Sequence, residues 1–173
     1  MRIREVIETI NQMKADGVID RYAIGGAVGA TFYLEPVSTI DIDIFMELHA
    51  SRESLVVDME PIFHYLKDRG FPMEGQYIVI ADSPVQFIPP GTPLAEEALN
   101  EAVQKEIQET AAWVFTPEHL AALALQLGRT KDKLRIMQFI EAGKLDMERF
   151  RFIVERHQLV EKWQKFERQF LAE

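Results

Sequence analysis

The sequence predicts a mixed α/β fold, an α+β arrangement in which helices flank a mixed sheet and a C-terminal helical segment follows. Short apolar runs of strand length alternate with helical patterns up to about residue 115. From residue 116 the periodicity is helical almost to the end. The chain has 173 residues, 47% of them hydrophobic and 27% charged, which suffices for a real core. With no recognisable linker, segments 1–115 and 116–173 are predicted to pack as a single compact unit.

The elements before residue 116 follow from hydrophobic periodicity and from the residues that interrupt it. The first helix is amphipathic and ends near Gly17, and Gly25-Gly26 separates the first strand from the second helix. Asp82-Ser83-Pro84 suits the connection of a hairpin. The predicted helices are 2–15, 27–34, 58–69 and 94–106, and the predicted strands are 19–24, 40–45, 77–81, 85–88 and 112–115.

The helical segment has a clear beginning. In Thr116-Pro117-Glu118, Thr can cap a helix, Pro is preset for its first turn, and Glu suits its positive end. Gly128 and Gly143 interrupt the pattern that follows, and Asp146 can cap the next helix. Apolar residues recur at helical spacing over 160–171, so this stretch fits either packing in the core or the interface helix of a homodimer.

Charge and cysteine content narrow the classes of function. The net charge of -9 argues against a surface coated for nucleic-acid binding, but the charge is uneven. Residues 1–110 hold 8 Lys and Arg against 19 Asp and Glu, whereas residues 111–173 hold 11 against 9. The absence of cysteine excludes a disulfide framework and a thiolate metal site. Since neither a membrane span nor a signal peptide is recognisable, we expect a cytoplasmic protein.

Two carboxylates and a glycine pair are the residues that most clearly indicate a functional site. Asp41 and Asp43 stand at i and i+2 of one predicted strand, so both project from one face and can share a hard cation such as Mg²⁺. Gly25-Gly26 lets the backbone approach phosphates closely before a helix. A phosphate cradle followed by two metal-binding carboxylates is typical of phosphoryl transfer. Taken singly, each pattern also fits a simple turn or the solvated face of a strand.

These residues carry a resemblance to a known family. Segments 23–27 (AIGGA) and 38–45 (STIDIDIF) resemble the signature of the DNA polymerase β-type nucleotidyltransferase superfamily. The resemblance is strongest to its minimal bacterial and archaeal branch around AbiEii-type toxins. Three later segments resemble that branch in the same order. Segment 85–89 resembles the strand that carries the family's third acidic site residue, 116–120 resembles a helix start, and 129–132 resembles the basic Arg-x-Lys-Asp segment.

The resemblance implies a nucleotidyltransferase-like fold and transfer of a nucleoside monophosphate from a triphosphate to an acceptor hydroxyl. Asp41 and Asp43 would bind Mg²⁺ or Mn²⁺, and Lys131 would act with them at the triphosphate or an RNA acceptor. The acceptor would be tRNA or a protein, with an antitoxin as partner, if the toxin-like resemblance extends to function. The implied nucleotide-binding residues are Gly25, Gly26, Thr39, Arg129 and Lys131.

Two positions depart from the family pattern. The third acid falls at Gln86, and a neutral amide can neither hold a second metal nor accept a proton well. An Arg often stands two residues before the Thr of the Asp-x-Asp strand, and Val37 occupies that place. The chain is therefore either an enzyme with a reduced site or a non-catalytic module that binds nucleotide or a partner. A third hypothesis is an interaction protein without a nucleotide site.

Other patterns add less. The cationic run over 129–135 fits a phosphate or RNA contact and equally a solvated helix start. The spacing of the glycines matches neither a dinucleotide-binding loop nor a serine hydrolase, and the chain is short for an Asp-x-Asp glycosyltransferase. Four histidines show no paired ligand spacing and are interpreted as surface or packing residues: His49, His64, His119 and His157.

Overall fold

The computed structural model describes residues 2–36, 38, 41–49 and 56–172. Within these residues the strands are β1 (Ile19–Ile24), β2 (Ile42–Leu48), β3 (Met73–Glu74), β4 (Tyr77–Ile80), β5 (Ser83–Ile88), β6 (Val103–Ile107) and β7 (Thr110–Val114). The helices are α1 (Ile3–Ala15), α2 (Gly26–Ala30), α3 (Glu60–Asp68), α4 (Pro93–Asn100), α5 (Pro117–Leu127), α6 (Thr130–Glu141), α7 (Met147–Arg156) and α8 (Val160–Phe166), which continues as a π-helical turn over Glu167–Leu171.

The strands form one sheet in the order β3-β4-β5-β2-β1-β7-β6. In its centre β2 runs parallel to β5 and antiparallel to β1, and β1 runs parallel to β7. The outer pairs are antiparallel hairpins. The sheet is thus mixed and flanked by helices, which confirms the predicted fold class. Its register places Gln86 of β5 directly opposite Asp43 of β2.

Hydrophobic clusters cover both faces of the sheet. One cluster lies between the sheet and helices α1 and α3. The other lies between the opposite face of the sheet and the helices from α4 through α8. The alternation of β2 divides its side chains accordingly: Ile42 and Ile44 are fully buried in the first cluster, whereas Phe45 packs against the second. Asp43 has the same parity as Phe45 and therefore points towards the C-terminal helices.

The C-terminal helices begin and end as predicted. Thr116 Oγ1 accepts a hydrogen bond from His119 N at 3.2 Å, which caps α5, and Gly128 ends that helix in the left-handed conformation. Asp146 Oδ1 accepts from Arg149 N at 3.1 Å and caps α7. Among the described residues, none of the helices combines the length and apolarity needed to cross a bilayer. The division of the chain at residue 115 stays a prediction.

The predicted helix 94–106 is wrong in its second half. The helix ends at Asn100, and residues 103–107 form the edge strand β6, paired with β7 across a turn at Gln108 and Glu109. Residues 104–106 are exposed and are Gln, Lys and Glu, which favour helices, so neither propensity nor alternation indicates a strand. Pairing with β7 decides the conformation instead.

Smaller differences concern element ends and one missed strand. The turn between β4 and β5 is formed by Ala81 and Asp82, both with positive φ, as in a two-residue hairpin, and so Ser83 and Pro84 belong to β5. Strand β3 was not predicted, because it has only two residues. The second helix is shorter than the predicted 27–34 and ends at Ala30.

The apolar face of 160–171 largely packs within its own chain. Trp163 and Phe166 are 5% and 3% exposed in the second cluster. The ring of Trp163 lies edge-on to Phe150 and stacked on Phe166, with centroids 4.9 and 5.4 Å away. The residues that remain partly exposed are Val160, Phe170 and Leu171. The homodimer stays a prediction.

Candidate functional site

Two half-buried carboxylates lie at the start of β2. Asp41 immediately precedes the strand, and Asp43 follows on the same face, as the alternation predicted. Burial raises the pKa of Asp43, and the negative charge of Asp41 raises it further. The two carboxylates are therefore close enough to repel each other.

Three cations from the N-terminal part of α6 face this pair. The charges of Arg135, Lys131 and Arg129 oppose the rise in the pKa of Asp43, with Arg135 contributing most. The basic segment singled out in the sequence is thus brought to the carboxylates from a distant part of the chain. Arg135 has a side chain only 14% exposed, and because it lies one helical turn after Lys131, both occupy the same face of α6.

Asp132 fixes the two arginines of this group. Its carboxylate is fully buried and accepts hydrogen bonds from Arg129 Nε at 2.6 Å and Arg129 Nη2 at 3.2 Å. It lies 3.7 Å from Arg135 Nη1 and also accepts from Arg129 N at the start of α6. Partial neutralisation of the cationic run by Asp132 could be predicted from the sequence, but its burial could not, although an Asp three residues after a helix start is a recognisable capping signal.

The glycine pair lies against the carboxylate strand. Gly25 N donates to Asp43 O at 3.0 Å, and a Cβ on Gly25 would stand 2.7 Å from the ring of Phe45. Gly26 has φ +58, and a Cβ there would overlap Asp43 Oδ2. Both positions therefore need glycine for this close approach. Contact of the pair with phosphates stays a prediction.

Replacing Gly26 with Ala is expected to disturb Asp43 directly. The added Cβ would displace the carboxylate, and the left-handed backbone would strain the residue by about 1 kcal/mol or more. Gly75→Ala is the matched control, because Gly75 has φ +64 and nothing within 4 Å of a built Cβ. We expect both variants to lose thermal stability, and Gly26→Ala to lose more, because only its Cβ would meet another side chain. Equal losses would contradict the contact with Asp43.

The third-acid position lies beside the pair but carries an amide. Gln86 is half-buried and pairs in register with Asp43, so a carboxylate there would face the same group. The nearby acid Asp82 does not replace it, because Asp82 lies in the turn before β5, where its carboxylate is 3.2 Å from Arg2. Thr39, predicted to bind nucleotide, and Val37 lie outside the described residues.

The donor set of Asp41 and Asp43 fits a hard divalent cation. Both supply carboxylate oxygens, the ligands that Mg²⁺ and Mn²⁺ prefer. A cation between them would relieve the repulsion that is expressed in the raised pKa of Asp43. The cations of α6 would then be available to other anionic groups.

A second cluster of metal-binding residue types lies where α4, α5 and α7 meet. His119 is fully buried, and its Nε2 lies 2.8 Å from Glu97 Oε2 and 3.4 Å from Glu101 Oε2. Burial lowers the pKa of His119. Burial also opposes ionisation of Glu97, but hydrogen bonds from Arg156 and His119 and the charge of Arg156 outweigh it and lower the pKa of Glu97 to about 2. Sequence spacing could not reveal this group, because its members come from different helices.

No protein-family model matches the chain, and no curated protein matches it in sequence. Solved structures do match. The antigenic nucleotidyltransferase-like protein from Paracoccidioides brasiliensis is 16% identical with a TM-score of 0.56, over 82% of this chain and 75% of that one. ANT(2")-Ia in complex with adenylyl-2"-tobramycin is 14% identical with a TM-score of 0.58, over 91% and 98%.

A solution structure of the antibiotic-resistance factor ANT(2'')-Ia is 15% identical with a TM-score of 0.52, over 95% of this chain and 94% of that one. At these identities the likeness concerns the fold. The chain therefore has the mixed α/β fold of nucleotidyltransferase-like proteins. The narrower resemblance to AbiEii-type toxins stays a prediction.

Proposed function

We propose that the chain is a nucleotidyltransferase that binds a nucleoside triphosphate with Mg²⁺ or Mn²⁺ and transfers the nucleoside monophosphate to an acceptor hydroxyl. The observation that carries the proposal is the convergence of the β2 carboxylates with three cations of α6. Carboxylates alone would repel a triphosphate, and cations alone would not hold a metal, so the combination suits a metal–triphosphate complex. The fold of the nucleotidyltransferase-like neighbours supports the same activity.

Each group has a distinct role in this proposal. Asp41 and Asp43 would hold the metal, which when bound neutralises charge on the phosphates. Gly25 and Gly26 would leave room for the phosphates beside Asp43, and Thr39 would help to bind the nucleotide. Lys131 and Arg129 would contact the phosphates that depart, because both are exposed side chains beside the carboxylates. Arg135, which is more buried, would hold the position of Asp43.

The reaction forms one bond and breaks one. The acceptor oxygen attacks the α-phosphorus, the bond from that phosphorus to the oxygen bridging to the β-phosphorus breaks, and pyrophosphate leaves. Gln86 cannot take the acceptor's proton, so the proton would pass to water. The developing negative charge on pyrophosphate would be stabilised by Lys131 and Arg129.

The surface charge of the C-terminal helices favours an anionic acceptor such as tRNA. A cavity of about 260 Å³ between α5, α6 and α8 is lined by three lysines and no acid: Lys133, Lys162 and Lys165. Phosphate groups of RNA suit such a surface, whereas tobramycin, whose adenylyl derivative ANT(2")-Ia holds, carries amino groups. A protein acceptor and a partner antitoxin remain within the proposal as toxin–antitoxin-like alternatives.

Release of pyrophosphate tests the proposed reaction whatever the identity of the acceptor. The protein would be incubated with each of the four nucleoside triphosphates and Mg²⁺, with total tRNA, a protein extract or tobramycin as acceptor. We expect pyrophosphate to form only with Mg²⁺ and an acceptor, and fastest with tRNA. Release of inorganic phosphate without pyrophosphate would instead indicate hydrolysis and contradict the proposal.

Gln86 favours a second candidate function, a non-catalytic module that binds nucleotide or a partner protein. Gln86→Asp places a carboxylate opposite Asp43 and discriminates between the two. A reduced enzyme should gain or change metal-dependent transfer by about 10-fold or more, as expected for an added acid–base group or ligand. A binding module should not respond. Gln104→Asp on the exposed strand β6 adds the same charge away from the site and controls for it.

A further inference from the structure

We propose a second metal site, away from the β2 carboxylates, that binds zinc through Glu97, Glu101, His119 and His157. It lies where α4 meets the first turn of α5 and the end of α7. The proposal goes beyond nucleotidyl transfer, because the site's role is to join these helices. Two imidazole nitrogens and two carboxylate oxygens form a donor set that suits Zn²⁺ better than Mg²⁺.

The first three ligands are already clustered. Ligand atoms of Glu97, Glu101 and His119 all lie within 4.8 Å of one another. Zinc bonds of about 2.0–2.1 Å in a tetrahedron place neighbouring ligand atoms about 3.3 Å apart. The 2.8 and 3.4 Å separations from His119 Nε2 to the two carboxylates are close to this value, so small side-chain shifts suffice.

His157, at the end of α7, lies beside Glu97, although its Nε2 is outside the group of ligand atoms that lie within 4.8 Å of one another. Its side chain is 10% exposed, and its Nε2 lies 3.2 Å from Glu97 Oε2. Nevertheless this buried nitrogen makes no hydrogen bond of acceptable geometry to any residue in the described part of the chain. A buried polar atom left in this way destabilises a fold. Coordination of a metal would satisfy it and complete a four-ligand site.

The surrounding groups orient the ligands as they do in known metal sites. Thr116 Oγ1 lies 2.7 Å from His119 Nδ1, so it can accept a hydrogen bond from an Nδ1–H group, and in that tautomer Nε2 is free to bind a metal. Arg156 Nε donates to Glu97 Oε1 at 2.6 Å, which leaves Oε2 facing both imidazoles. Arg149 Nη2 lies 3.3 Å from Glu101 Oε2, the oxygen that also faces His119.

The charges of the cluster leave room for a cation. In the described part of the chain, the carboxylates of Glu97, Glu101 and Glu118 form ion pairs with two arginines, Arg149 and Arg156. With neutral imidazoles the group therefore carries one excess negative charge. Zn²⁺ would compensate it and join α4 to α5 and α7 by bonds stronger than the present ion pairs.

Zinc binding to the full chain tests the site. Protein stripped with EDTA and dialysed would be titrated with Zn²⁺ against a chromophoric chelator, in an Asp41→Asn/Asp43→Asn background that removes the β2 carboxylates. We expect one zinc per chain and a rise in Tm on binding. His157→Gln should weaken the affinity by about 10- to 100-fold or more, as for loss of a partner in a metal site. Glu97→Gln should do the same.

His64→Gln provides the matched control, because His64 is exposed and its Nε2 lies 3.1 Å from Asp68. Its zinc affinity should equal that of the background protein. Absence of zinc binding, or equal affinity in the His157 and His64 variants, would overturn the proposal and leave a network of ion pairs. Pyrophosphate release is measured without zinc, so failure of this site and failure of the proposed reaction are distinguishable.

Discussion

Replacing Asp43 with Asn is expected to abolish nucleotidyl transfer and to raise the Tm of the metal-free protein at neutral pH. The activity should fall by about 100-fold or more, because the variant loses a metal ligand and a charge at the reacting centre. Thermal stability should change in the opposite direction, because burial and the charge of Asp41 destabilise the ionised Asp43 side chain in the folded state.

The sign of the pH dependence follows from the raised pKa. A carboxyl whose pKa is higher in the folded than in the unfolded state stabilises the fold when protonated. That contribution is complete below the unfolded pKa and is lost as pH rises through the folded pKa. Asn stays neutral, so the stabilisation of Asp43→Asn relative to the parent should be present at neutral pH and vanish in acid.

The measurement is thermal unfolding of the parent and of Asp43→Asn from neutral to acidic pH, with and without Mg²⁺. Mg²⁺ should raise the Tm of the parent and leave that of Asp43→Asn unchanged. Asp82→Asn is the control, because Asp82 is exposed and forms an ion pair with Arg2, away from Asp41 and Asp43. A lower Tm for Asp43→Asn at neutral pH would contradict the electrostatic account of the pair.

The second large effect is expected for Lys131→Met. This change removes a cation that faces Asp43 and, in the proposed reaction, the departing phosphates. We expect kcat/KM for the nucleoside triphosphate to fall by about 100-fold, as for loss of a charge-stabilising donor. Because Lys131 is exposed, the free energy of unfolding should change by only about 0.5 kcal/mol.

Lys144→Met is the matched control for this change. Lys144 is an exposed lysine just beyond the end of α6, and its charge is not among those acting on Asp43. Steady-state kinetics of both variants should separate them by at least about 10-fold in kcat/KM. Equal kinetics would show that position 131 contributes no more than general surface charge.

Much of the fold could be predicted because local and tertiary preferences agree. The alternation of Ile and Asp in β2 places apolar side chains at 0% exposure on one face and the carboxylates on the other. The Thr116 cap and Gly128 bound α5 where the chain's own hydrogen bonds require them. Strand β6 could not be predicted, because its exposed residues carry no period and only pairing with β7 orders them.

The arrangement around the carboxylates was only partly accessible from the sequence. The basic segment was recognised, but the selection of Arg129, Lys131 and Arg135 over Lys133 depends on how α6 packs. The anchoring of two arginines by buried Asp132 likewise depends on burial, which a single sequence does not display. Glu97 and Glu101 stand four residues apart, but the sequence gives no sign that His119 of another helix lies beside them.

Binding of a nucleoside triphosphate, measured by isothermal titration calorimetry, tests the location of the site most directly. The parent and the Asp41→Asn/Asp43→Asn variant would be titrated with each triphosphate in Mg²⁺ and in EDTA. We predict one binding site in the parent that requires Mg²⁺, and a loss of affinity of about 100-fold or more in the variant. Equal affinity of the two proteins in Mg²⁺ would contradict a nucleotide site at Asp41 and Asp43.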